Sequence, residues 1–167
     1  MKKIFLTSLF ALTAMFAFSQ NYMVVNTQEI FKSLDSYNKA ITELDTLSSQ
    51  YQQKIDAAYE VLQNMYDSYQ NEKASLSESA RQTKENDIIK AEQKIANYQE
   101  EVFGQNGTMI NKRIEMLKPI QDKVFAAINA YAEKNNFELV LDIASNPTIL
   151  YYLPAKNKTE QIINQLK

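Results

Sequence analysis

From residue 30 to residue 69 the chain holds neither proline nor glycine, and apolar or aromatic side chains recur every three or four positions. Written as a heptad, the a and d positions are Ile30, Leu34, Tyr37, Ile41, Leu44, Ser48, Tyr51, Ile55, Ala58, Leu62, Met65 and Tyr69, and only Ser48 interrupts the seam. A stripe recurring about every 3.5 residues leaves one helix face uncovered, so such a helix is stable only against another helix. The remainder of the chain has to supply that partner.

The N-terminal residues read as an export signal. Lys2 and Lys3 precede an apolar run over 4–18 that ends in Ala17-Phe18-Ser19. This is the layout of a secretory signal peptide, and the run is short for a membrane span, so cleavage after Ser19 is expected. The mature chain, 20–167, would be soluble after cleavage. The absence of cysteine excludes a lipid-anchored export signal and any disulfide framework, and export without staples favours a bacterial envelope compartment. Two glycines, three prolines and no tryptophan describe long helices with few turns. Without Lys2 and Lys3, eighteen basic residues become sixteen against twenty acidic ones, a formal charge of minus four. Nucleic-acid and anionic-membrane binders carry the opposite balance, so neither partner is expected.

Along the mature chain, Tyr22-Met23-Val24-Val25 reads as a short strand. Asn26 and Glu29 have the form of a capping box, in which Asn accepts from an early helix N–H and Glu reaches back to the cap's own N–H. One unbroken helix is expected from Thr27 to about residue 70, a rod on the order of 65 Å. The apolar period lapses over 71–87, where the chain can turn round. It returns with Ile88, Ile95, Tyr98 and Val102 and then resumes in a shifted phase as Ile110, Ile114, Leu117, Val124, Ile128 and Tyr131. The phase changes at Gly104-Gln105-Asn106-Gly107. Each glycine costs about 1 kcal/mol of helix propensity, so a soft point in the return helix is expected, which alanine would stiffen. Pro119, which lacks the N–H for its helical bond, is a second expected bend. Gly104, Gly107 and Pro119 are thus the candidates for flexibility.

Asn135-Asn136 should close the return helix. Residues 137–143 read as a strand with Phe137, Leu139, Leu141 and Ile143 on one face, and 148–153 read as a further strand. Asn157 with Glu160 repeats the capping-box pattern before a short helix carrying Ile162, Ile163 and Leu166. The fold class is therefore α+β, mainly α: a long antiparallel coiled-coil hairpin, 27–134, on a small β body made of 20–26 and 135–167. Three strands and a short helix are a small core for one copy, so oligomerisation is expected, with Met23, Val25, Leu139, Val140, Leu141 and Ile143 in the shared body.

Chemistry is sparse. With no histidine and no cysteine, the usual general base near neutral pH, the usual nucleophilic pair and most transition-metal ligands are missing. Carboxylate pairs such as Glu100 with Glu101, or Asp56 with Glu60, fall outside the seam and read as a solvated face. No catalytic residue, metal ligand or cofactor is expected. Aromatic side chains are the remaining candidates. Tyr69 lies in the seam and Tyr59, Tyr66 and Phe103 beside it; together with Tyr98 they either finish the hairpin packing or are the contact residues for a binding partner, the second reading being strongest for Tyr59 and Tyr66, whose amphipathic rings give apolar contact without demanding one partner.

Strand, long helical hairpin, strands and short helix behind a signal peptide resemble the Skp/OmpH family of periplasmic chaperones. The likeness rests on Met23-Val24-Val25-Asn26 with Ile30-Phe31, on Leu117-Lys118-Pro119-Ile120 with Lys123-Val124 and Ala127-Ile128, and above all on Phe137-Glu138-Leu139-Val140-Leu141-Asp142. The resemblance implies a jellyfish-like homotrimer, with a β body and three helical arms, that holds unfolded outer-membrane proteins without ATP before their insertion. This chain departs from the basic arm tips of the family. Its tip sets Lys73, Arg81 and Lys84 against Glu72, Glu78, Glu85 and Asp87, so contact with lipopolysaccharide or anionic membrane is not expected. A structural coiled-coil scaffold of the envelope is the alternative reading.

Overall fold

The structure is a computed structural model and describes residues 21–167. The signal peptide expected at 1–19 lies outside the described residues. The chain divides into two compact units, one of residues 35–122 and one combining 21–34 with 123–167.

In the terminal unit, β1 (Tyr22–Val25) and β2 (Leu139–Asp142) pair in parallel, with Tyr22 opposite Leu139 and Val25 opposite Asp142. Parallel strands need a long crossover, and here the helical sequence between them provides it. The other edge of β1 is also engaged, since the Lys158 N–H donates to the Val24 carbonyl at 2.9 Å. β1 is consequently the buried strand, with Met23, Val24 and Val25 in the interior. Helix α1 (Thr27–Lys32) packs on α5 (Thr159–Leu166), burying Ile30 and Ile162. The third strand expected at 148–153 does not form. A strand requires a hydrogen-bonded neighbour, and among the described residues this segment has no strand partner; it leads instead into a 3-10 turn at Pro154–Lys156.

Side chains tie the two ends of the sequence together. Asn26 caps α1 through the Glu29 N–H as expected, but the Glu29 carboxylate accepts from the Asn26 side-chain amide at 2.7 Å. The cap's own N–H donates to the Thr159 hydroxyl at 2.8 Å, a tertiary contact in place of the local one. Asn157 likewise accepts from the Thr159 N–H and hydroxyl, and Glu160 takes no part in that cap. The C-terminus of the long return helix closes on Asn136 at φ 54°, with the Phe137 N–H bonded to the Ala132 carbonyl and the Asn136 N–H to that of Glu133. This is a Schellman closure, and asparagine is one of the few residues that adopts its left-handed position cheaply.

Asp142 joins β2 to the start of α1. Its Oδ1 accepts from the Thr27 and Ala144 backbone N–H groups at 3.2 and 2.9 Å, and Oδ2 from the Thr27 hydroxyl at 2.6 Å. Burial pushes this carboxyl up, but the Thr27 and Ala144 hydrogen bonds prevail and hold its pKa below the ordinary 3.8. A carboxylate depressed in the folded state adds stability that is complete above its unfolded pKa and is lost as pH falls through the folded one. Asp142→Asn is therefore expected to cost about 2 kcal/mol at neutral pH. That gap should close below about pH 4. Urea midpoints of both proteins across this range check it, and a gap independent of pH would mean the charge contributes nothing.

The other unit is helical. Its long helix α2 (Asp35–Glu72) is separate from α1, contrary to the single rod expected from residue 27. Ser33 causes the break: its hydroxyl and N–H both turn back to α1 carbonyls, the hydroxyl to Ile30 at 2.7 Å, and Asp35 then opens α2 with a favourable charge at its N-terminus. All twelve heptad positions are buried or half-buried, but Ile30 is covered by α5, and the helix-pair seam proper runs from Tyr37 to Tyr69. The turn at the far end is shorter than expected. Helix α3 (Glu78–Phe103) begins directly after residues 73–77, capped by Ser77, so most of the polar stretch is helix.

The return arm is two helices, α3 and α4 (Thr108–Lys134), not one with a soft point. Along α2 the partner changes accordingly. Ile55, Leu62 and Tyr69 pack with Ile88 and Ile95 of α3, whereas Ala40 and Leu44 pack with Leu117 of α4, and Ser48 falls between the two clusters. Each fully buried aliphatic side chain in such a seam contributes roughly 1.5–3 kcal/mol. Met109, Met116 and Ile120 complete the second cluster, while Ile110 and Ile114, expected in the seam, face solvent. The break at the glycines resets the helical phase by an amount no periodicity reveals.

The glycines sit there because of close approach. A Cβ on Gly107 would lie 2.6 Å from the Val102 carbonyl oxygen, and one on Gly104 would overlap Glu100. Alanine at either position thus strains the link and does not stiffen a helix. α4 runs through Pro119 without interruption.

Candidate functional site

α2 and α3 run antiparallel, and their seam is not evenly filled. Ala58 and Ala91 occupy positions where neighbouring layers carry Ile, Leu or Tyr, and the missing volume opens an apolar recess of about 360 Å³. Ile55, Ala58, Val61, Leu62, Ala91, Ile95 and Tyr98 line it, with Lys94 the one charged side chain on its wall. A second recess continues toward the turn, bounded by Val61, Asn64, Met65, Ser68, Lys84, Asp87 and Ile88. Val61 belongs to both and is 60 % exposed. Together they form an open groove along one flank of the helix pair, apolar at one end and mixed at the other.

The aromatic residues expected as contacts distribute differently. Val61 precedes the a-position Leu62, whereas Tyr59 and Tyr66 follow the d-positions Ala58 and Met65, so the tyrosines lie on the opposite flank from the groove. Their hydroxyls are committed to cross-helix bonds: Tyr59 donates to Gln99 at 3.2 Å and Tyr66 to Glu92 at 2.6 Å. Tyr69 donates to Glu85 and is buried in the α2–α3 core, which removes its ring from the surface. Hydrogen bonding to Glu92 and Glu85 respectively holds the Tyr66 and Tyr69 hydroxyls above their ordinary pKa, so both remain donors well beyond neutral pH. Tyr98 packs edge-on to Tyr51 with ring centroids 6.4 Å apart and lines the groove; Phe103 stands exposed at the end of α3. Of the five aromatic candidates, Tyr98 alone is brought to the groove.

Val61 and Ala91 escaped the sequence reading. Their signal was present as a β-branched residue immediately before a seam leucine and as alanines where larger residues recur, but recesses depend on which layers face each other. Asp56, Glu60, Glu100 and Glu101 are all exposed, as a solvated face requires. At the turn, Lys84 pairs with Glu72 at 2.6 Å, and this hydrogen bond to Lys84 is the main reason that the Glu72 carboxyl lies below its usual pKa. The Lys73 ammonium stands 5.4 Å from the Tyr69 ring centre.

In the terminal unit, Met23 and Val25 are interior residues of the single chain. Leu139 is half exposed, and Val140, Leu141 and Ile143 are half-buried. The most exposed apolar side chains are Leu150 at 92 % and Tyr151 at 78 %, in the segment that fails to form a strand.

One unit thus carries a helical pair with an apolar groove, and the other a small two-stranded parallel sheet. The chain belongs to the family described as Outer membrane protein (OmpH-like), which matches residues 21–166. It is also similar to an uncharacterised protein of Aquifex aeolicus (strain VF5), at 27 % identity over 166 residues that cover 99 % of this chain and 96 % of the relative.

Proposed function

We propose that this protein is a periplasmic, ATP-independent holdase that keeps unfolded outer-membrane proteins from aggregating before insertion. In this reading α2 and α3 form the hairpin arm of a homotrimer whose β body comprises the terminal unit, and the protein has no catalytic role. Family membership supports the class of partner, and the groove around Val61 is the observation that carries the mechanism. It is broad, shallow and mostly apolar, so it gains from burying client side chains of many shapes without requiring one sequence. The nearly balanced charge at the turn, with Lys84 paired to Glu72, supports holding by burial over capture by charge.

Aggregation of a denatured β-barrel protein, followed by light scattering, tests this. Stoichiometric protein should suppress scattering nearly equally at low and moderate salt, because screening removes long-range attraction but leaves apolar burial intact. Absence of suppression would favour the scaffold reading. Suppression that collapses with salt, or that follows Lys73, Arg81 and Lys84, would assign the holding to charge.

A further inference from the structure

The link between α3 and α4 contains the chain's one asparagine followed by glycine, Asn106-Gly107. Asn106 is exposed and outside both helices. Its side-chain amide has no hydrogen-bond partner among the described residues, so nothing holds it away from the main chain. Glycine leaves the following backbone nitrogen unshielded by any side chain. We propose that Asn106 is a site of spontaneous deamidation, which makes the α3–α4 link a point of chemical ageing in the unit of residues 35–122.

The step balances without a co-reactant other than water. The Gly107 backbone nitrogen, giving up its proton to base, attacks the Asn106 side-chain carbonyl carbon; a five-membered imide forms and the side-chain nitrogen leaves as ammonia. Water then opens the imide at either carbonyl. One opening yields aspartate with the original main chain, the other isoaspartate, whose main chain runs through the β-carbon and is one methylene longer. In the folded protein the Gly107 N–H donates to the Gly104 carbonyl at 2.9 Å, so this single turn must open first. Local opening of a four-residue link between helices is far easier than global unfolding.

The products act differently on the fold. Aspartate leaves the chain length unchanged and puts a negative charge just before the N-terminus of α4, where the helix dipole favours it. Isoaspartate inserts an atom where Gly107 already lies too close to Val102 for even a Cβ. That product should hold the link open. The inference does not depend on what the groove binds.

Peptide mapping by mass spectrometry after incubating the full-length mature protein at neutral pH, and one unit higher, tests it. The peptide containing Asn106 should gain about one dalton and resolve into two isomers. It should do so about tenfold faster than any other asparagine-containing peptide, since the nitrogen after each of the others bears a residue with a side chain. The rate should rise with pH, and Asn106→Gln should abolish the change. Cleavage by a protease within 103–108 should increase with the isoaspartate fraction. An unchanged Asn106 in the protein, while a synthetic peptide of the same residues reacts, would overturn the proposal by showing that the turn keeps the nitrogen out of reach. Faster change at another asparagine would overturn it too, and modification without new cleavage would overturn the ageing of the link.

Discussion

Val61→Asp is expected to abolish client holding while leaving the helices intact. Val61 is the side chain common to both recesses, and it stands mostly in solvent, so a carboxylate there costs the free protein little. A client covering the groove would have to bury that charge. The unpaired desolvation removes roughly 2 kcal/mol or more of binding, at least a thirtyfold loss. Ile55→Asp is the contrasting change, because Ile55 is fully buried between α2 and α3 and a charge there opens the pair itself. Circular dichroism should therefore separate the variants, with helicity retained in the first and lost in the second. Tyr59→Phe, which removes one exposed bond to Gln99, should cost no more than about 1 kcal/mol of stability and leave holding unchanged. If Val61→Asp protects a denatured β-barrel protein as well as the parent does, while Tyr59→Phe does not, the working surface is the tyrosine flank.

Leu150→Asp should dissociate the proposed homotrimer into single chains without unfolding them. Leu150 and Tyr151 are the most exposed apolar side chains in the terminal unit, and they belong to a segment with the composition of a strand but no strand partner. Among the described residues no strand pairs with the outer edge of β2 either. An unpaired strand edge and an unpaired apolar segment in one unit are each a template for pairing with another chain. Because Leu150 is almost entirely in solvent, its replacement removes next to nothing from one copy, and any effect reports assembly. Burying a charge at each subunit contact should cost about 2–3 kcal/mol and raise the concentration needed for assembly roughly a hundredfold. Sedimentation velocity at micromolar concentration provides the measurement. A variant sedimenting as the parent does, at every concentration, would place the interface elsewhere.

The heptad from Tyr37 to Tyr69 was legible because burial in a helix pair depends mainly on periodicity, and periodicity is a property of the sequence. The close of α4 at Asn136 was equally legible, since few residues accept a positive φ. The division at Ser33 was harder. Serine tolerates helix and also terminates it, and which outcome occurs depends on whether its hydroxyl turns back to a carbonyl, as it does here toward Ile30. The phase of the second arm was misread at Ile110 and Ile114 because a break of unknown geometry precedes them. The third strand was overread from composition, which records a preference for extended backbone but not the presence of a neighbour.

The candidate site shows the same division. The expectation of binding through apolar contact followed from the absence of histidine and cysteine and from the seam. Which apolar residues form the surface did not. Tyr59 and Tyr66 have the side chains suited to contact, yet Gln99 and Glu92 claim their hydroxyls across the helix pair. Ala58 and Ala91 are individually unremarkable, and they become a recess only because the antiparallel pairing of α2 and α3 sets them beside one another. The sequence by itself determined period, caps, charge and the lack of histidine and cysteine, since none of these depends on how distant segments meet. Tertiary structure alone decided the groove, the burial of Met23 and Val25, and the grip of Asp142 on Thr27, because each is a meeting of residues far apart in the chain whose relative placement no local rule contains.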